Sequence, residues 1–160
     1  MKIILASKSG VRKKILEKNK VSCIVVPSNI NEDQVKDSLL AVGADPVLIS
    51  KNLAELKSTK VSNKYPDELV LGADSVISLN NELINKPSTR AEALKTLKKL
   101  NGSIHYLITS VCISKNGAMI WNHSDSSELK MKNLSKTTIY EYLSKIQTKT
   151  LLDYGVYQIE

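Results

Sequence analysis

The sequence predicts an α/β fold: a mixed, twisted central sheet with flanking helices, in one domain spanning residues 1–160. Short apolar runs alternate with stretches of helical spacing, which is the pattern of strands and helices taken in turn. Two tight-turn signals, Asn80-Asn81 and Asn116-Gly117, mark hairpins and put antiparallel pairs into the sheet. A length of 160 residues with 42% hydrophobic and 24% charged side chains suits a single globular domain.

The elements follow in order. Residues 2–6 are a continuous apolar run, hence a buried strand, and Ser7-Lys8-Ser9-Gly10 interrupts it before Val11, Ile15 and Leu16 begin a helical spacing. Residues 21–26 form a second strand closed by Pro27. Glu32 in Asn31-Glu32-Asp33 reads as an exposed loop acid. Asp45-Pro46 supplies an N-cap and a first-turn proline for a helix reaching about Asn63, with Val47, Leu48, Leu53, Leu56 and Val61 as its apolar face. A strand over 68–79 ends at the Asn80-Asn81 turn. Thr89 and Glu92 form a capping box for a helix to about Leu100. Two long strands, 104–114 and 118–131, flank Asn116-Gly117, and Ser135 opens a helix whose inner face is Ile139, Tyr142, Leu143 and Ile146.

Composition narrows the function. With aromatic residues at 4% and no Phe, base stacking on exposed rings is disfavoured. The net charge of +7 suits an anionic partner, but the lysines are spread along the chain, so nucleic acid is not favoured. Cys23 and Cys112 each lie in an apolar stretch, as small core residues do, and two Cys with two His make no convincing zinc set. No segment approaches the roughly 20 apolar residues of a membrane helix. The expectation is a soluble cytoplasmic protein with no membrane partner, and a homodimer is left open.

Asp74 is the leading candidate for chemistry. A carboxylate in so apolar a strand is costly to bury unless it meets a cation, a donor or a cleft. Its plainer reading is an acid at a kink made by Gly72. The loop from Ser7 through Ser9, leading into Arg12, offers free amides at a helix start and suits a phosphate. Lys86 follows a hairpin and Lys57 lies near the apolar face of its helix; each alone reads as a surface or snorkelling lysine. Gly155 and Tyr157 read as turn and core residues.

Together these motifs resemble the Maf family of nucleoside triphosphate pyrophosphatases over essentially the whole chain. They are Leu5-Ala6-Ser7-Lys8-Ser9-Gly10-Val11-Arg12, Asn31-Glu32, Leu53-Ala54-Glu55-Leu56-Lys57, Gly72-Ala73-Asp74-Ser75-Val76-Ile77, Asn85-Lys86-Pro87 followed by Glu92-Ala93, and Leu100-Asn101-Gly102-Ser103-Ile104-His105. The resemblance implies a Maf/ITPase-like fold and hydrolysis between the α and β phosphates, releasing a monophosphate and pyrophosphate. It implies Asp74, Glu32 and Lys86 in catalysis, with Asp74 as base and Glu32 and Asp74 as ligands of a divalent cation, Mg²⁺ or Mn²⁺. Ser7, Ser9, Arg12 and Lys57 become phosphate contacts. The alternative is a catalytically weak nucleotide-binding regulator linked to cell-division control.

Base choice in the family is tied to three positions that look like Val11, Ser75 and Glu160. Pyrimidine-preferring members resemble Arg, Thr and Gln there; members acting on 7-methyl-GTP carry an aromatic, Gln and Glu. This chain shares only the Glu, and a carboxylate accepts hydrogen bonds from a guanine edge, so the reading leans to a purine or modified purine. Gly10 replaces the family's Pro, Val11 its first Arg, and Asn31 an acidic residue. The chain ends at Glu160, where the family continues with its last C-terminal elements.

Overall fold

The computed structural model describes residues 2–157. Twelve elements alternate along it: β1 (Lys2–Leu5), α1 (Gly10–Lys18), β2 (Ser22–Val25), α2 (Glu32–Ala41), α3 (Pro46–Ser62), β3 (Val70–Leu79), β4 (Glu82–Ile84), α4 (Arg90–Leu100), β5 (Ile104–Lys115), β6 (Ala118–Lys130), α5 (Lys136–Lys145) and α6 (Thr148–Tyr154). The strands form one sheet in the order β2-β1-β3-β5-β6, with β4 paired to β3. The β1 strand runs parallel to both β2 and β3, whereas β4 is antiparallel to β3, so the expected mixed sheet is present. Both predicted hairpin turns hold two residues at positive φ, Asn80 and Asn81 in one and Asn116 and Gly117 in the other. That geometry matches the right-handed twist of the flanking strands.

The described residues cluster into two units, one of those up to 75 with 108–126 and the other of 76–107 with those from 127 onward. The boundaries fall within β3, β5 and β6, which contribute to both. In the first unit, Ile4, Ala6, Val61 and Val70 pack into a buried cluster. In the second, Leu79, Ala93, Leu97, Leu100, Ile139, Leu143, Leu151 and Val156 form the core. Side chains of this size contribute roughly 1.5–3 kcal/mol each when fully buried. Arg90 ties the second unit together, donating from one helix to the carbonyls of Leu143 and Ile146 on another. In the same unit His105 and Tyr157 share a 2.6 Å hydrogen bond, and burial lowers the imidazole pKa and pushes the phenol up to about 12.

Three sequence expectations change here, and one helix is added. Glu32 is the first residue of a ten-residue helix rather than a loop acid, because Asn31 caps it by accepting from the Gln34 amide at 3.2 Å. The buried face of α3 matches the predicted one only in part, since Leu53 and Val61 are buried as expected. Val47, Leu48 and Leu56 are largely exposed, while Ile49, Ser50, Leu53, Ala54, Lys57, Ser58, Val61 and Ser62 face inward at helical spacing. The stripe carries the small residues Ala54 and Ser58 where it meets Gly72, since the two backbones lie close there. Cys23 is only partly buried, since β2 occupies the end of the strand order. The short helix α6 carries no side-chain cap, which removes the signal that marks the other helix starts.

Candidate active site

The site grows from one close contact. A methyl group at Gly72 would lie 2.2 Å from the Ala54 carbonyl oxygen and 2.7 Å from the Ser58 nitrogen, so only glycine permits this approach of α3 to β3. Strand side chains alternate faces, so Asp74, two residues on, also points at α3. There it meets Lys57, one residue before Ser58.

Lys57 Nζ donates to Asp74 Oδ1 at 2.7 Å and pairs with Glu32 Oε1 at 2.8 Å. Asp74 is 4% exposed and Lys57 5%, so this ion pair is shielded from water, whereas the Glu32 side chain is 45% exposed. One turn further along α3, Lys60 donates to the Asn29 carbonyl at 2.9 Å and anchors the segment that leads to Glu32. Ser50 donates to the Asp74 carbonyl at 3.2 Å. The outer oxygen of the carboxylate, Asp74 Oδ2, is buried with no hydrogen-bond partner.

That environment sets the charge behaviour. Burial raises the Asp74 pKa above the ordinary carboxylate value; Lys57 and Arg12 pull it down and Glu32 pushes it further up, and burial prevails. The Arg12 guanidinium is lowered by burial, while Asp74 and Glu32 pull it back. It remains cationic at neutral pH.

Arg12 reaches the site from the first turn of α1, just after the loop that follows β1. Ser9 caps α1 by accepting from the Arg12 amide at 3.3 Å, and its own amide donates to Ser7 Oγ at 3.2 Å. The guanidinium then donates from Nη1 to Ser7 Oγ at 3.2 Å and from Nη2 to Ser75 Oγ at 3.4 Å. Ser75 shares a 3.0 Å hydrogen bond with Thr109. The loops following the parallel strands β1 and β2 thus carry Ser7, Arg12 and Glu32 to the middle of β3, the end of a parallel sheet where ligands bind in such folds.

The structure therefore brings together Ser7, Ser9, Arg12, Glu32, Lys57, Asp74 and Ser75. Val11 lies on α1 and is about half exposed. Lys86 belongs to the second unit, where it lines a shallow hollow of about 220 Å³ with Lys95 and Lys99. Glu160 lies outside the described residues. The sequence reading did not single out Thr109, Ser50 or Lys60. Thr109 stands on β5, which only the strand order places beside β3.

In this α/β protein a buried acid held by a lysine lies beside an arginine and a capped helix start. The chain belongs to the Maf-like protein family, whose profile matches residues 2–160. A nucleoside triphosphate pyrophosphatase of Pelagibacter ubique is 58% identical over 158 residues, covering 99% of this chain and 81% of that protein. A 7-methyl-GTP pyrophosphatase of Rhizobium etli is 33% identical over 159 residues, covering 99% and 80%. Among solved structures, a HAM1 protein from Coxiella burnetii superposes with a TM-score of 0.55 at 16% identity, covering 81% of this chain and 72% of that one. This last likeness concerns the fold, which agrees with the Maf/ITPase-like architecture expected from the sequence. No helix among the described residues is long and apolar enough to cross a membrane.

Proposed function

We propose that this chain is a nucleoside triphosphate pyrophosphatase that acts on cytoplasmic nucleotides. The observation that carries this reading is the divided state of Asp74: Oδ1 is held by Lys57 while Oδ2 is buried and unpartnered. One oxygen fixes the carboxylate's orientation and the other retains a lone pair for a proton. Burial also makes this acid a stronger base than an ordinary aspartate, as its raised pKa indicates. The names of the Pelagibacter and Rhizobium relatives support the same reaction class.

In the reaction, the oxygen of a water forms a bond to the α-phosphorus and the α–β phosphoanhydride P–O bond breaks. Pyrophosphate leaves with the electron pair, and the water proton passes to Asp74 Oδ2. Arg12 retains donors beyond those given to Ser7 and Ser75, and these hold phosphoryl oxygens; Ser7 and the amides at the start of α1 add neutral donors. Lys57 keeps Asp74 and Glu32 together and offsets their charge.

A divalent cation fits this donor set. Among the described residues no three His, Cys, Asp or Glu side chains gather to form a complete cage. Two carboxylates, one with an orphaned oxygen, nevertheless suit Mg²⁺ or Mn²⁺, which commonly takes one or two carboxylates and completes its shell with water and substrate phosphate. Glu32 and Asp74 would hold the ion, which neutralises charge on the phosphoryl oxygens when bound. For the base, the reading is a purine or modified purine, with Val11, Ser75 and Glu160 as the discriminating positions.

The test is a panel of standard and modified nucleoside triphosphates incubated with Mg²⁺ or Mn²⁺, with both products identified. Equimolar monophosphate and pyrophosphate are expected, fastest for a purine. Release of inorganic phosphate with a diphosphate, or nucleotide-dependent thermal stabilisation without turnover, would contradict the assignment.

A further inference from the structure

The guanidinium of Arg12 depends, through Ser75, on Thr109, a side chain that has no role so far. Its Nη2 donates to Ser75 Oγ at 3.4 Å, a long bond to an exposed serine on β3. A serine hydroxyl carries one proton and rotates freely unless a second partner fixes it. Thr109 Oγ1 is that partner, 3.0 Å from Ser75 Oγ. Because arginine has no acceptor, Ser75 must accept from Arg12, and its remaining hydrogen-bonding capacity is directed at Thr109. Thr109 is suited to the task because a β-branched side chain on a strand has few χ1 choices.

We propose that Thr109 is a positioning residue for Arg12, acting through Ser75 to hold the guanidinium plane toward the bound phosphates. The inference rests on the reading of Arg12 as a phosphate contact. The chain Thr109, Ser75, Arg12, Ser7 engages two nitrogens of the guanidinium, leaving its other donors for ligand. The Thr109 hydroxyl is engaged with Ser75, not with the Asp74 carboxylate. Its loss therefore weakens substrate binding more than it slows chemistry.

Steady-state kinetics of Thr109→Val, Thr109→Ser, Ser75→Ala, Arg12→Ala and the Ser75→Ala/Thr109→Val double variant test this, with folding followed by thermal unfolding. Thr109→Val keeps the shape and removes the hydroxyl; it should raise KM about 3- to 10-fold, the size of one neutral hydrogen bond, with kcat within about twofold. Thr109→Ser should restore KM, and Thr109→Val should add nothing in the Ser75→Ala background. An unchanged KM, an equal rise in both backgrounds, or a fall in kcat alone would overturn the proposal. If Thr109→Val does not fold, Thr109→Ala carries the same comparison. Arg12→Ala separates the two levels. If it leaves kcat and KM unchanged, the phosphate-contact reading fails and the positioning role with it. If it impairs turnover while Thr109→Val does not, the positioning role alone fails.

Discussion

Two lysine–carboxylate pairs in this molecule have nearly the same length and opposite surroundings. Lys57 lies 2.7 Å from Asp74 in the first unit, and Lys99 lies 2.8 Å from Glu82 in the second. The side chains of the first pair are each 6% exposed, whereas those of the second are 46% and 69% exposed. Water solvates both members of the Lys99 pair before and after they meet. It is withheld from the Lys57 pair, whose charges depend on each other, on Glu32 and on the protein dipoles. Distance alone does not distinguish the two pairs; burial and the unsatisfied oxygen of Asp74 do.

The sharpest way to break the contrast is to remove each lysine. Lys57→Met strands a buried carboxylate and should cost about 3–5 kcal/mol in denaturant unfolding at neutral pH. The loss should shrink in acid, where Asp74 takes up a proton. Retained stability would mean that Asp74 is neutral or solvated in the wild type. A smaller loss is expected from Gly72→Ala, because the added methyl meets Ala54 backbone at 2.2 Å and must push α3 away. Overpacking of this kind costs typically 1–3 kcal/mol, and here it should also lower turnover by moving Lys57 off Asp74.

The pH dependence is subtler. The folded-state pKa of Asp74 is raised, so the proton-linked stability it contributes is fully present below the unfolded value of 3.8 and is lost as pH rises through the folded value. In metal-free protein, Asp74→Asn should therefore gain stability relative to wild type as pH climbs from about 4 toward neutrality. Urea titrations of both proteins across that range would show the gap widening; a gap that widens in the other direction would mean that Lys57 outweighs burial. The smallest effect belongs to the surface pair. Lys99→Met should leave the unfolding midpoint within experimental error.

The contrast also explains what the sequence disclosed. Strands and caps were legible because their signals are local: Asp45-Pro46, Thr89 and Ser135 each cap the helix expected of them, and Asn80-Asn81 and Asn116-Gly117 each turn a hairpin. Asp74 was conspicuous as an acid in an apolar run. Lys57 alone reads as a snorkelling lysine because its burial depends on Gly72, which is distant in sequence and matters for the side chain it lacks. The α2 helix was missed because Glu32 and Asp33 look like loop acids until Asn31 is recognised as their cap. Thr109 gave no local signal at all, since its partner Ser75 is 34 residues away on a neighbouring strand.

The central claim is that the buried pair, not the exposed one, is where chemistry occurs. Pyrophosphate release measured side by side for wild type, Asp74→Asn and Glu82→Gln under saturating Mg²⁺ and triphosphate tests it most directly. Loss of a positioned base should reduce kcat of Asp74→Asn by about 10²–10⁴-fold, while Glu82→Gln matches wild type. Turnover of Asp74→Asn within a few-fold of wild type would contradict the account.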